Sequence, residues 1–151
     1  MGAELFARVR DLSTLQNKLM LLTGEQHGCL SCLAELASET GADVINLSSI
    51  LARNLAKVPE RNRGFEATNC LQGLLSDSHP GDVLLLKNLE LLFLPALQVN
   101  PLEAIKRLSH ATPIVAIWPG ELVGERLRYA AMGHPEYREY STNGIVITSI
   151  E

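Results

Sequence analysis

The chain has 151 residues, 46% of them hydrophobic and 20% charged, with a formal net charge of −4 at pH 7. That is enough apolar material for one domain with a substantial core, and the acidic balance argues against a free-standing basic nucleic-acid binder. No apolar run reaches the roughly 18 residues of a membrane span, and the N-terminal stretch lacks the apolar core of a signal peptide. Three cysteines are an odd number and suggest reduced thiols rather than a disulfide framework. The expectation is a single cytoplasmic domain over 1–151 with no membrane contact.

Leu5, Val9, Leu12 and Leu15 recur at helical spacing and predict an N-terminal amphipathic helix over 4–16. Residues 18–23 read as a buried strand. Residues 30–40 read as a helix with Leu30, Leu33, Ala34 and Ala37 on one face, closed by Gly41. A second short strand over 43–47 leads to a helix over 48–57 capped by Ser48 or Ser49. A polar loop at 59–64 precedes a helix over 65–76. After the turn signal His79-Pro80-Gly81, residues 82–86 form a nearly pure apolar run typical of a central parallel strand. Pro101 suits the first position of a further helix, and residues 112–118 make a fourth strand, cut off by Pro119-Gly120. This alternation predicts right-handed crossovers and a mainly parallel sheet with helices on both faces. The last third changes character, with short strands at 126–130, 136–140 and 145–150. Asn143-Gly144 is a hairpin signal that would join the last two into a C-terminal β hairpin over 136–150.

Between the first strand and its helix lies the spacing of a phosphate-binding loop, Gly-x4-Gly-Lys-Ser/Thr. Gly24 and Ser31 hold its first and last positions, while Cys29 replaces the second glycine and Leu30 the lysine. Gly24 and Gly28 would let a curved loop turn its amides onto a phosphate, and the Ser31 hydroxyl would help hold magnesium. A metal-binding acid should end a later strand, but Lys87 stands there. Glu90 is the nearest carboxylate and the catalytic candidate if the chain is an ATPase. One hypothesis places the Lys87 ammonium near Ser31, in the space of a magnesium ion, permitting metal-free anion binding; the alternative pairs Lys87 with Glu90 or Asp82.

Arg53, Arg61 and Arg63 flank the polar loop, where they would act across a subunit boundary, contact phosphate or simply be solvated. Arg126 and Arg128 alternate on a strand and would project together. Cys29-Leu30-Ser31-Cys32 at a helix start has the form of a thioredoxin-type redox pair. A zinc site on His27, Cys29, Cys32 and the distant Cys70 would lack a second paired-ligand motif. The favoured reading makes the thiols packing groups and assigns no metal.

A set of segments beyond the first helix carries a family resemblance: residues 18–31, Asn46-Leu47, residues 84–93 with Glu90-Leu91-Leu92-Phe93, and Asn100-Pro101-Leu102. It continues through residues 115–120 with Trp118-Pro119-Gly120, Leu127 with Tyr129-Ala130, and Gly133-His134-Pro135-Glu136-Tyr137. On these residues the chain resembles the BrxF family, the small P-loop-containing proteins of type 3 BREX bacteriophage-defence systems. The resemblance implies a P-loop NTPase-like three-layer α/β domain working beside other BREX components that distinguish and restrict phage DNA. In that family the loop ends Gly-Lys-Ser/Thr and the later strand ends in Asp before an Asn-x-Glu-like segment. Here both motifs are degenerate, as Cys29-Leu30-Ser31 and Lys87-Asn88-Leu89-Glu90. The expectation is a non-catalytic assembly or binding subunit that partners itself and other BREX proteins, meeting DNA through the complex. The alternative is an ATP-binding protein or ATPase, using ATP and magnesium within an oligomer; the second alternative is a thiol oxidoreductase.

Overall fold

A computed structural model describes residues 2–76, 83–94, 97–129 and 138–150. Its helices are α1 (Gly2–Asp11), α2 (Gln26–Thr40), α3 (Leu47–Leu55), α4 (Arg63–Ser76) and α5 (Pro101–Ser109). Its strands are β1 (Leu19–Gly24), β2 (Val44–Asn46), β3 (Leu84–Lys87), β4 (Ile114–Ile117), β5 (Glu121–Val123), β6 (Arg126–Tyr129), β7 (Arg138–Ser141) and β8 (Val146–Ile150). Five strands make one sheet in the order β2-β3-β4-β1-β8, every pairing parallel. The other three make an antiparallel sheet, β5-β6-β7.

The apolar runs conceal a period of two. Leu19, Leu21, Leu84, Leu86, Ile114 and Ala116 enter one core, while Met20, Leu22, Leu85, Val115 and Ile117 enter the other. The first core is closed by Leu47 and Leu51 of α3, Leu71 of α4 and Ile105 and Leu108 of α5. Leu5 and Val9 of α1, with Cys29, Cys32, Leu33 and Leu36 of α2, close the second. The split follows from topology. The chain leaves β1 for the far edge at β2 and then steps back through β3 to β4, and right-handed crossovers running in opposite directions put their helices on opposite faces. The result is an α/β domain of three layers with both faces of a parallel sheet covered.

Several boundaries differ from the periodicity reading. The α1 helix ends at Asp11 and a 3₁₀ turn at Leu12–Thr14 follows, so Leu12 is buried but Leu15 is exposed. On α2 the inner face is Cys29, Cys32, Leu33 and Leu36; Ala34 faces solvent, and Leu30 and Ala37 are half-buried. Asn46, rather than Ser48 or Ser49, caps α3, its Oδ1 accepting from Ser49 N at 3.1 Å. The polar loop shortens to a 3₁₀ turn at Glu60–Asn62 because α4 already begins at Arg63. Gly41 does end α2, at φ +77 with its N–H on Ala37 O, and Pro101 does open α5 behind the Asn100 cap.

Antiparallel pairing is present near the C-terminus, between β6 and β7. Strand β8 does not pair with β7 across Asn143-Gly144; it runs parallel to β1 at the edge of the main sheet. There Ile150 joins the α1/α2 core and Ile147 packs against the other, a two-faced burial that a surface hairpin would not supply. His79-Pro80-Gly81, Asp82, Ala130 and the segment 131–137, including His134-Pro135-Glu136-Tyr137, lie outside the described residues.

Candidate functional site

In an open parallel sheet, ligands are taken at the carboxyl ends of the strands. Here that edge carries Gly24-Glu25, Asn46, Lys87, Trp118 and Ile150. Gly24 has φ +115, and a Cβ on it would lie 2.0 Å from the Ile150 carbonyl oxygen, so only glycine fits between β1 and β8. The next amide, Glu25 N, donates to that same oxygen at 3.3 Å. Helix α2 then begins at Gln26, not at residue 30.

The reason is Glu25 itself. It is extended at φ −66, ψ 126, and its carboxylate accepts from His27 N at 3.0 Å (Oε1) and Gly28 N at 2.6 Å (Oε2). A helix start concentrates unpaired N–H groups and the positive end of the dipole, the feature a phosphate site uses. The chain's own carboxylate fills that role here. Gly28, Cys29, Leu30 and Ser31 are consequently helical residues rather than a cradle. Cys29 N closes the helical bond to Glu25 O at 3.0 Å and its side chain is buried. Leu30 packs against the same core, and Ser31 is exposed. In the sequence the two glycines of Gly24-Glu25-Gln26-His27-Gly28 favour a loop and hide the cap.

Strand β4 lies between β1 and β3, so Lys87 stands two strand spacings from β1, about 10 Å, and pairs in register with Asn46. Helix α2, which carries Ser31, packs across the main sheet and touches β3, the strand that Lys87 ends; the order of the strands is not encoded in local spacing. Lys87 is half-buried and makes no ion pair with Glu90. After it the chain turns through Asn88 at φ +58. The Asn88 carbonyl accepts from Ser48 N at 3.0 Å and Ser48 Oγ at 2.6 Å, which locks this turn to the start of α3. Glu90 is exposed and opens a 3₁₀ turn, Glu90–Phe93, whose Leu92 and Phe93 are buried.

The loop arginines separate. Arg63 Nε donates to Leu55 O at 3.1 Å and Val58 O at 3.3 Å, closing the end of α3. That gives Nε a capping role. Arg53 and Arg61 are exposed. Arg126 and Arg128 do project together, and Glu139 of the neighbouring strand lies 3.5 and 3.6 Å from their Nε atoms.

An unforeseen feature closes the end of β4. Trp118 is buried and its Nε1 donates to Arg128 O at 2.9 Å. Phe93 stacks on Tyr129 with centroids 4.1 Å apart and meets Trp118 edge-on at 5.4 Å. Tyr140 sits edge-on to Trp118 at 5.5 Å. This aromatic cluster fastens the small sheet to the large one; its members are distant in sequence, and only the sheet order assembles them.

The surroundings of the thiols disfavour the thiolate. Burial pushes Cys29 above its ordinary pKa, with Cys32 and Glu25 adding to it; burial and Glu35 raise Cys32, and burial and Glu66 raise Cys70. A redox nucleophile needs the opposite shift. Cys29 and Cys32 sit in the α1/α2 core while Cys70 packs on the other face, so the set His27, Cys29, Cys32 and Cys70 does not converge. Among the described residues no helix is long and apolar enough to cross a membrane. Comparisons with protein-family models, with curated proteins and with solved structures found no match to this chain.

Proposed function

We propose that the chain is a P-loop-like assembly or binding subunit without catalysis of its own, acting in a BREX-type phage-defence complex with copies of itself and with larger, DNA-bound partners. What supports the P-loop ancestry is architectural: a parallel sheet with helices on both faces, and a central β1 that runs directly into a helix. The observation that carries the non-catalytic reading is the Glu25 carboxylate on the His27 and Gly28 amides. A nucleotide's β- and γ-phosphates would meet a negative charge there, beside Leu30 where a cation is needed. The residues present therefore do not fit ATP with magnesium, and no hydrolytic step is derived for them.

The test is calorimetry of the purified chain with ATP, with and without magnesium, together with phosphate release and light scattering. The expected result is no binding heat, no turnover and a discrete oligomer. ATP turnover that disappears in Ser31→Ala would overturn the non-catalytic reading in favour of an ATPase. Lys87-dependent ATP binding, lost in Lys87→Ala and indifferent to EDTA, would restore the metal-free anion site. A strict monomer that binds no other BREX protein would remove the assembly role.

A further inference from the structure

Eight asparagines occur in the chain, and Asn143 alone precedes a glycine. Asn46 and Asn100 spend their side chains as helix caps, Asn54 Nδ2 donates to Ile50 O, and Asn17 bonds His110 and Gly144. Asn143 differs. It lies with Gly144 in the exposed turn between β7 and β8. Its backbone N–H donates to Ser141 Oγ at 3.1 Å, while its side-chain amide and the Gly144 N–H have no hydrogen-bond partner among the described residues.

We propose that Asn143-Gly144 is a site of intramolecular deamidation. The Gly144 backbone nitrogen loses its proton to base and attacks Asn143 Cγ. A C–N bond forms, the Cγ–Nδ2 bond breaks, and ammonia carries off the leaving nitrogen. Glycine matters because no Cβ crowds the attacking nitrogen. Water then opens the five-membered imide. Opening at Cγ leaves an aspartyl residue; opening at the α-carbonyl leaves an isoaspartyl link, with the main chain routed through the former side chain. The sequence is redox-neutral, with water and base as the only co-reactants.

The position makes the change consequential. Gly144 sits at φ +78 and its carbonyl accepts from Asn17 Nδ2 at 3.2 Å, while Ile145 N donates to Thr142 O at 3.1 Å to close the turn. One extra methylene in that turn alters the lead into β8, the strand that pairs β1 and presents Ile150 to Gly24 and Glu25. A new carboxylate also appears beside the bond from Asn17 Nδ2 to Gly144 O.

The test is incubation of the folded full chain at mildly alkaline pH, followed by peptide mapping with fragmentation that separates aspartyl from isoaspartyl links. The excised peptide serves as the unstructured reference. Both products should accumulate at position 143, faster as pH rises, and be lost in Asn143→Ser. The isoaspartyl fraction should melt lower than an Asn143→Asp variant, because the lengthened backbone and not the charge disturbs β8. Conversion in the peptide but none in the folded chain would overturn the site. Equal melting of the two acidic forms would overturn the coupling to β8.

Discussion

β1 and β4 lie side by side, and each leads to a glycine whose missing Cβ admits a carbonyl from elsewhere: Ile150 O at Gly24 and Arg128 O at Gly120. Beyond the glycines the junctions diverge. After Gly24 the chain enters α2, and one exposed side chain, Glu25, seals the helix start. After Trp118-Pro119-Gly120 it enters the antiparallel sheet, sealed by a buried indole bonded to Arg128 O and by the rings of Phe93, Tyr129 and Tyr140. The lesson is that a strand-end glycine answers first to the neighbouring strand. The one at 24 has the spacing of a phosphate loop, yet the approach of Ile150 O and a positive φ already demand glycine there, and the same kind of approach recurs at 120, where no such motif exists.

The comparison breaks most sharply on those two residues. A Cβ at Gly24 meets Ile150 O at 2.0 Å and also carries a positive φ, so Gly24→Ala should lose about 4 kcal/mol, combining overpacking and backbone strain. Gly120→Ala has only the collision, at 1.8 Å from Arg128 O, and should lose about 2 kcal/mol. Urea unfolding measures both. Parent-like stability in Gly24→Ala would mean that β8 does not approach β1 as described, and would reopen a ligand-based reason for the glycine.

The same junctions show what was legible in the residues. Both strands were readable, because a strand covered on two faces is apolar at every position; for the same reason the run 19–22 could not say which side chain serves which core. The start of α2 was not readable, since a Glu cap looks like any polar residue while its flanking glycines look like a loop. Asn143-Gly144 suggested local pairing of β7 with β8, but β8 gains more beside β1, where Ile147 and Ile150 reach both cores. Lys87 ends β3, which β4 separates from β1 in the sheet. Element types followed from composition and period; the candidate site depended on strand order, which neither encodes.

A smaller effect sharpens the difference between a sealed and an open helix start. Glu25→Ala removes the acceptor for His27 N and Gly28 N and should cost about 1 kcal/mol, the ordinary loss of a cap. Amide exchange at 27 and 28 should accelerate while the aromatic junction keeps its protection. ATP binding should stay absent, since Leu30 still supplies no cation. If ATP bound to Glu25→Ala and not to the parent, the carboxylate alone would be the barrier, and the remaining frame would be competent.

The smallest expected effect concerns the thiols behind that helix start. Cys29 has its pKa raised by burial first and then by Cys32 and Glu25. In linkage terms, a folded-state value above the unfolded one means that the folded chain holds the proton more tightly. The associated stability is complete below the ordinary thiol value of about 8.5 and is lost as pH rises through the folded value. Melting temperature should therefore fall at alkaline pH, and Cys29→Ala should flatten that fall relative to its own neutral-pH baseline. Cys70→Ala should flatten it less, because Cys70 is only half-buried and Cys29 is 1% exposed. Alkylation of Cys29 at neutral pH as fast as a free thiol would show instead that the α1/α2 core opens there. The first-strand junction would then be a mobile cover over a reactive sulfur, quite unlike its aromatic counterpart at β4.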